Sequence, residues 1–157
     1  MKLYRSGMVQ RYHSNPDFAR FGQTNAAHQW GVVTLIFTLN PKPSIGLIKA
    51  ATFHDVGELV AGDLPRPFKA ENPHVASLHR NAEYRHRDEL TGFAWPELTQ
   101  TETAWLALCD SLEAYLFAVN HNETATRANG WPEQRTALLE AARGLGCLDA
   151  VLRMLKE

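Results

Sequence analysis

The sequence predicts an all-α protein, a single-domain helical bundle over residues 1–157, and three observations carry that expectation. Apolar residues recur at helical spacing over long stretches, Pro and Gly fall between those stretches, and no segment alternates apolar with polar at period two. At 157 residues, with 45% hydrophobic and 21% charged, the chain can bury a core without disulfide staples and is too apolar for disorder.

The elements follow in order. Asn25 to Leu39 carries Ala27, Trp30, Val33, Leu35 and Phe37 as its expected apolar face and stops at Asn40-Pro41. Ser44 can cap a second helix over residues 44–61, with Gly62 as its stop and Ile45, Ile48, Ala51 and Thr52 at helical spacing. A polar, charge-laced and half-exposed helix is expected over residues 73–90, then a turn over 92–96. Thr101 and Glu102 open a long helix to about residue 120, rich in Trp105, Leu106, Leu108, Leu112, Tyr115, Leu116 and Phe117. Asn129-Gly130 is a turn, Pro132 suits the first residue of the next helix, and Gly144 and Gly146 precede a short last helix over residues 148–156. Trp30, Trp105, Tyr115 and Phe117 are expected in the core.

Charge narrows the partners. A net charge of -1 supplies no broad cationic field, which argues against a nucleic-acid polymer or an anionic membrane surface as partner. The opening MKLYRSGMVQRYHSN lacks the apolar stretch of a signal peptide, and the apolar run over residues 32–39 is too short to span a bilayer. Cys109 and Cys147 are read as reduced core thiols. The expectation is a soluble cytoplasmic protein, in the host cytoplasm if the chain is viral.

The chemistry concentrates in FHDVGELVAGDLPRPFK, residues 53–69. His54 and Asp55 are adjacent, Glu58 follows four residues after His54, and Gly62-Asp63 ends the expected helix. On a continuous helix Glu58 would stand one turn beyond His54 on the same face. Val56, Leu59 and Val60 surround these groups, where an uncompensated charge is costly. Pro65 and Pro67 are expected to stiffen a loop presenting Arg66 and Lys69. His28 lies on the first bundle helix, and Asp110 sits in the most hydrophobic one, where an ionised carboxylate needs a partner. Two imidazoles and two carboxylates, His28, His54, Asp55 and Asp110, suit one divalent transition ion, and Co, Zn, Mn, Fe and Ni all accept that set. Glu58 is then the candidate general base or water-orienting group, and Asp63 the group assisting the leaving oxygen. Arg11, Lys69 and Arg66 are candidate phosphate clamps.

The spaced His, the HD pair with Glu three further on and the late helical Asp resemble the HD-domain metal-dependent phosphohydrolases. Within them, HDVGELVAGDLPRPFK is similar to the HD-x-x-E-x-x-x-GD-x-P-x-P-x-K signature of the 5′-deoxynucleotidase branch. CDSLEAYLF resembles the branch's late helix and places its last metal ligand on Asp110, while Arg11-Tyr12 falls where the branch has a nucleotide-binding Arg-Trp pair. The opening RSGMVQRYHSNP and short C-terminus are more similar to a phage-encoded sub-branch of dATP triphosphohydrolases, which deplete dATP so that 2-aminoadenine replaces adenine in viral DNA.

The resemblance implies an HD-fold bundle, a divalent metal, a deoxynucleotide substrate and a homo-oligomer, with room for a further divalent ion on the substrate phosphates. Triphosphate release from dATP is the leading expectation, and phosphate removal from deoxynucleoside monophosphates is the alternative. A non-catalytic HD nucleotide sensor is the reading from another class. His79 and His86 raise a two-metal variant, with solvated side chains as the favoured alternative. Three departures stand out: Tyr12 replaces the Trp, Ala27 and Gln29 flank His28 where the branch has Glu and Ser, and no motif matches after Glu123.

Overall fold

The computed structural model describes residues 2–156 and is all-α. Its helices are α1 (Lys2–Ser6), α2 (Asn25–Leu39), α3 (Ile45–Phe53), α4 (Glu58–Ala61), α5 (Arg66–Glu71), α6 (Pro73–Thr91), α7 (Gln100–Asn122), α8 (Trp131–Gly144) and α9 (Leu148–Met154). Two 3₁₀ turns, Ala19–Phe21 and Glu123–Arg127, join them. Among the described residues there is no strand, only an isolated antiparallel bridge between Gln10 and Thr24. None of the described helices is long and apolar enough to cross a membrane.

The chain divides into two compact units, Met1–Gln29 with Phe53–Trp95, and Trp30–Thr52 with Pro96–Glu157. In the first, α4, α5 and α1 all pack on α6, and Phe18 and Val56 are fully buried. In the second, α7 packs on α8 and on the 3₁₀ turn after it, and α8 packs on α9. Val32, Ile36, Leu47, Leu108, Leu112 and Val151 form that unit's interior.

Helix α7 starts at Gln100, one residue earlier than expected, because the capping signal reads Thr99 to Glu102. The Glu102 backbone N–H donates to Thr99 Oγ1 at 3.2 Å, and the Thr99 backbone N–H donates to Glu102 Oε2 at 2.9 Å. Two otherwise orphaned donors are satisfied at once. The Ser44 hydroxyl accepts from the Leu47 N–H at 3.0 Å, as expected of a cap, and donates to Glu102. That bond, with those from Thr99, holds the Glu102 carboxyl below its usual range.

Three expectations are corrected. The helix foreseen over residues 44–61 is two helices, α3 and α4, separated by a tight turn over 54–57. The loop foreseen to carry Arg66 and Lys69 is the short helix α5, with Pro67 in its first turn, where a missing N–H costs nothing. Trp30 and Phe37 are not core: they are 72% and 60% exposed, and α2 buries Val32, Ile36 and Leu39 alongside the expected Leu35. Apolar residues lie all round α2, so spacing alone could not select its inner face. The cysteines do behave as read: both are free and buried, and burial, with lesser help from Cys147 and Asp110, pushes the Cys109 thiol up to about 12.

Candidate functional site

The turn over residues 54–57 is where the chemistry begins. The Val56 N–H donates to the Phe53 carbonyl at 3.4 Å, and the Glu58 N–H to the Asp55 carbonyl at 3.1 Å, a three-residue spacing tighter than an α-helix. Gly57 explains why the chain sits so close to its neighbour. A Cβ placed there would stand 2.1 Å from the Glu83 carbonyl oxygen of α6, so only glycine permits the approach. Adjacent side chains on a regular helix diverge by about 100°; the tight turn lets His54 and Asp55 converge instead.

They converge with His28. The Nε2 atoms of His28 and His54 are 3.3 Å apart, and Asp55 Oδ2 lies 3.3 Å from His54 Nε2 and 3.5 Å from His28 Nε2. His28 is fully buried. Arg11 reaches the same carboxylate, its Nη1 donating to Asp55 Oδ2 at 2.7 Å. Backbone pairing explains how a residue so far away arrives there. Arg11 N–H donates to the Gln23 carbonyl at 2.9 Å and Asn25 N–H to the Val9 carbonyl at 2.9 Å, laying the segment around Arg11 alongside the entry to α2.

Two carboxyls three residues apart are driven in opposite directions. Burial alone would raise Asp55, but the charges of His54, Arg11 and His28 and a hydrogen bond from His54 hold it well below the usual carboxylate range. Glu58, 6% exposed at the start of α4, is pushed up to about 8. Burial is the main cause and the charges of Asp55 and Asp63 add to it, against weaker opposition from Arg11 and Asn25. The surroundings therefore favour the ionised form of Asp55 and the protonated form of Glu58.

Asn25 was not foreseen. It is fully buried at the first position of α2, and its amide donates to Glu58 Oε2 at 2.8 Å and to the Asp55 carbonyl at 3.2 Å. A small amide three residues before the spaced His was the available signal, but Asn at a helix start reads first as a cap.

The remaining sequence-derived residues distribute as follows. Asp63 is half-buried just past α4, near enough for its charge to bear on Glu58. Lys69 is half-buried on α5, and Arg66 is exposed at that helix's start. Tyr12 takes a left-handed backbone (φ 56°), its ring 5.5 Å from that of Phe18 and 5.9 Å from the Arg11 guanidinium. Asp110 belongs to the second unit, half-buried on α7 between the buried Cys109 and Leu112. His79 is neither solvated nor free to bind a second ion: its Nε2 faces the Ala61 and Gly62 carbonyls and its Nδ1 faces Glu83. His86 pairs with Glu89 at 3.0 Å.

Comparison with known proteins matches the chain to a family. Residues 26–140 match the family described as 5′-deoxynucleotidase YfbR-like. Among curated proteins, the chain is 34% identical over 79 residues to 5′-deoxynucleotidase plu3092 of Photorhabdus laumondii, covering 42% of this chain and 40% of that protein. It is 32% identical over 79 residues to 5′-deoxynucleotidase yfbR of Photorhabdus temperata, with the same coverage. The match thus spans well under half of each relative's length. No solved structure matches. The family match spans most of the chain and contains His28, His54, Asp55, Glu58 and Asp110: this protein belongs to the YfbR-like 5′-deoxynucleotidase family.

Proposed function

We propose that this protein is a metal-dependent 5′-deoxynucleotidase that removes phosphate from deoxynucleoside monophosphates. The observation that carries the reading is the convergence of His28, His54 and Asp55, with the protonatable Glu58 beside them. Imidazole nitrogens and a carboxylate kept ionised are the donors a first-row divalent ion takes, and His28, His54 and Asp110 are a set whose chemistry could hold one. In this reading Asp55 and Asp110 complete the ligand set, and the ion is Co, Zn, Mn, Fe or Ni. When bound, it polarises the phosphoryl group and strengthens water as a nucleophile.

The rest falls to side chains. Glu58, held by Asn25, takes the proton of the attacking water, a task suited to a carboxyl that titrates near neutrality. Asp63 assists the leaving 5′ oxygen. Arg11, Lys69 and Arg66 hold the phosphate, and Tyr12 packs on the sugar or base. The partners in this reading are a deoxynucleotide and further copies of the chain, in the cytoplasm.

The dATP triphosphohydrolase expectation takes second place, because the family and both relatives bear the name 5′-deoxynucleotidase. Product analysis decides between them. The protein is stripped of metal, reloaded with each ion singly, and incubated with dAMP, dGMP, dCMP, dTMP and dATP. Orthophosphate from the monophosphates, abolished by chelation, is expected. Triphosphate from dATP would install the second reading. Inertness to all five with metal bound, and nucleotide affinity unchanged in Glu58→Gln, would mark a sensor.

A further inference from the structure

One turn of α6 touches both ends of α4. At the near end, the Glu83 backbone carbonyl packs against Gly57, which closes the turn bearing His54 and Asp55. At the far end, His79 Nε2 lies 3.2 Å from the Ala61 carbonyl and 3.0 Å from the Gly62 carbonyl. Carbonyls only accept, so Nε2 carries the hydrogen and donates. These are among the last carbonyls of α4, which the helix cannot satisfy for itself.

Gly62 needs that support. Its φ of 81° and ψ of 159° lie in a region open essentially to glycine, and no neighbouring atom stands within 4 Å of where a Cβ would be. The Gly62 N–H is tied back to the Glu58 carbonyl at 2.9 Å, but the open space beside its Cα offers no contact to fix the direction in which the chain leaves towards Asp63. The His79 grip on the two carbonyls supplies the restraint.

Glu83 holds the ring in place. Its Oε1 is 3.1 Å from His79 Nδ1, off the axis of the ring nitrogen, so the contact is electrostatic rather than a well-aligned hydrogen bond. The two groups attract when a hydrogen lies between them. Burial raises Glu83, as do the charges of Asp55 and Asp63, while His79 and Lys69 lower it.

We propose that His79, braced by Glu83, is a positioning residue that fixes Asp63 for reaction by gripping the Ala61 and Gly62 carbonyls. The proposal rests on the reading of Asp63 as the group beside the leaving oxygen. It assigns work to a histidine that the metal site and the phosphate clamps do not use.

The test uses the metal-loaded protein and two readouts. Amide hydrogen exchange at Gly62 and Asp63 reports the grip itself. In His79→Ala it should accelerate by about ten-fold or more while the α6 interior is unchanged. With dAMP, kcat should fall about ten-fold with KM within about two-fold, the pattern of lost alignment rather than lost binding. His79→Gln, whose amide can also donate to the carbonyls, should recover most of both. Should His79→Ala fail to fold, Glu83→Ala frees the ring and should give the same exchange change, whereas Glu83→Gln, able to donate to Nδ1, should not. Unchanged exchange in a folded His79→Ala or Glu83→Ala protein overturns the grip. Faster exchange with unchanged kcat overturns the positioning role alone. A wild-type protein inert to every deoxynucleotide removes the nucleotidase reading and the positioning role with it, while the exchange data still decide the grip.

Discussion

Segment 53–63 and helix α7 are built on opposite principles. Helix α7 is a regular rod of 23 residues, opened by a complete capping box and inserting Trp105, Leu108, Leu112 and Tyr115 into the interior of the second unit. Segment 53–63 contains a tight turn, a four-residue helix and a glycine in a region closed to other residues. The rod derives its stability locally and from apolar burial. The broken segment relies on its neighbours: Gly57 against α6, Asn25 on Glu58, Arg11 on Asp55 and His79 on the final carbonyls. Interruption is what brings adjacent side chains to one point, and stability is surrendered there for geometry.

The largest expected effect separates activity from stability. Glu58→Gln should lower kcat on dAMP by about 10²–10⁴-fold, the range for a lost general base, and should stabilise the metal-free protein. A carboxyl whose folded pKa is raised to about 8 binds a proton that the unfolded chain releases near 4.5. Its burden on stability is thus absent at acid pH, grows as pH rises between those values and is full above 8. Melting of wild type and variant should coincide at pH 4 and diverge at pH 8, by on the order of 3 kcal/mol. Divergence at pH 4 instead would overturn the assignment of that proton to Glu58.

Leu112→Ala tests the rod. A fully buried leucine on α7 should cost about 2–5 kcal/mol, read by denaturant titration. Gly57→Ala should cost less, about 1–3 kcal/mol by overpacking, yet abolish turnover because the new methyl meets backbone rather than a mobile side chain. Wild-type activity in Gly57→Ala would break the contrast between the regions. The smallest effect is Thr99→Ala, about 1 kcal/mol from the lost cap, with kcat within about two-fold.

Much of the fold was legible because the rods obey local rules. The bounds of α2, the Asn129-Gly130 turn and Pro132 in the first turn of α8 all follow from caps, glycine and proline. That His28, His54 and Asp55 deserve to be considered together was legible from type and spacing, and they do converge. The break at 54–57 was not, since HDVG carries no proline and the determining contact comes from Glu83, some 26 residues on. Asn25 and His79 escaped for the same reason: each acts on residues distant in sequence, and each has an ordinary reading where it stands. Trp30 was misplaced because an apolar helix with no polar face gives periodicity nothing to choose between.

One consequence of the facing imidazoles remains. Nitrogens of His28 and His54 that lie 3.3 Å apart attract only when a single hydrogen occupies the gap between them. A divalent ion seated there would displace that hydrogen, which leaves for the medium if the pair of rings is cationic and moves to the far nitrogen of a ring if both are neutral. Calorimetric titrations repeated in buffers of differing ionisation enthalpy would count the released equivalents. A heat independent of buffer would mean that no proton leaves and the displaced hydrogen moves to the far nitrogen of a ring.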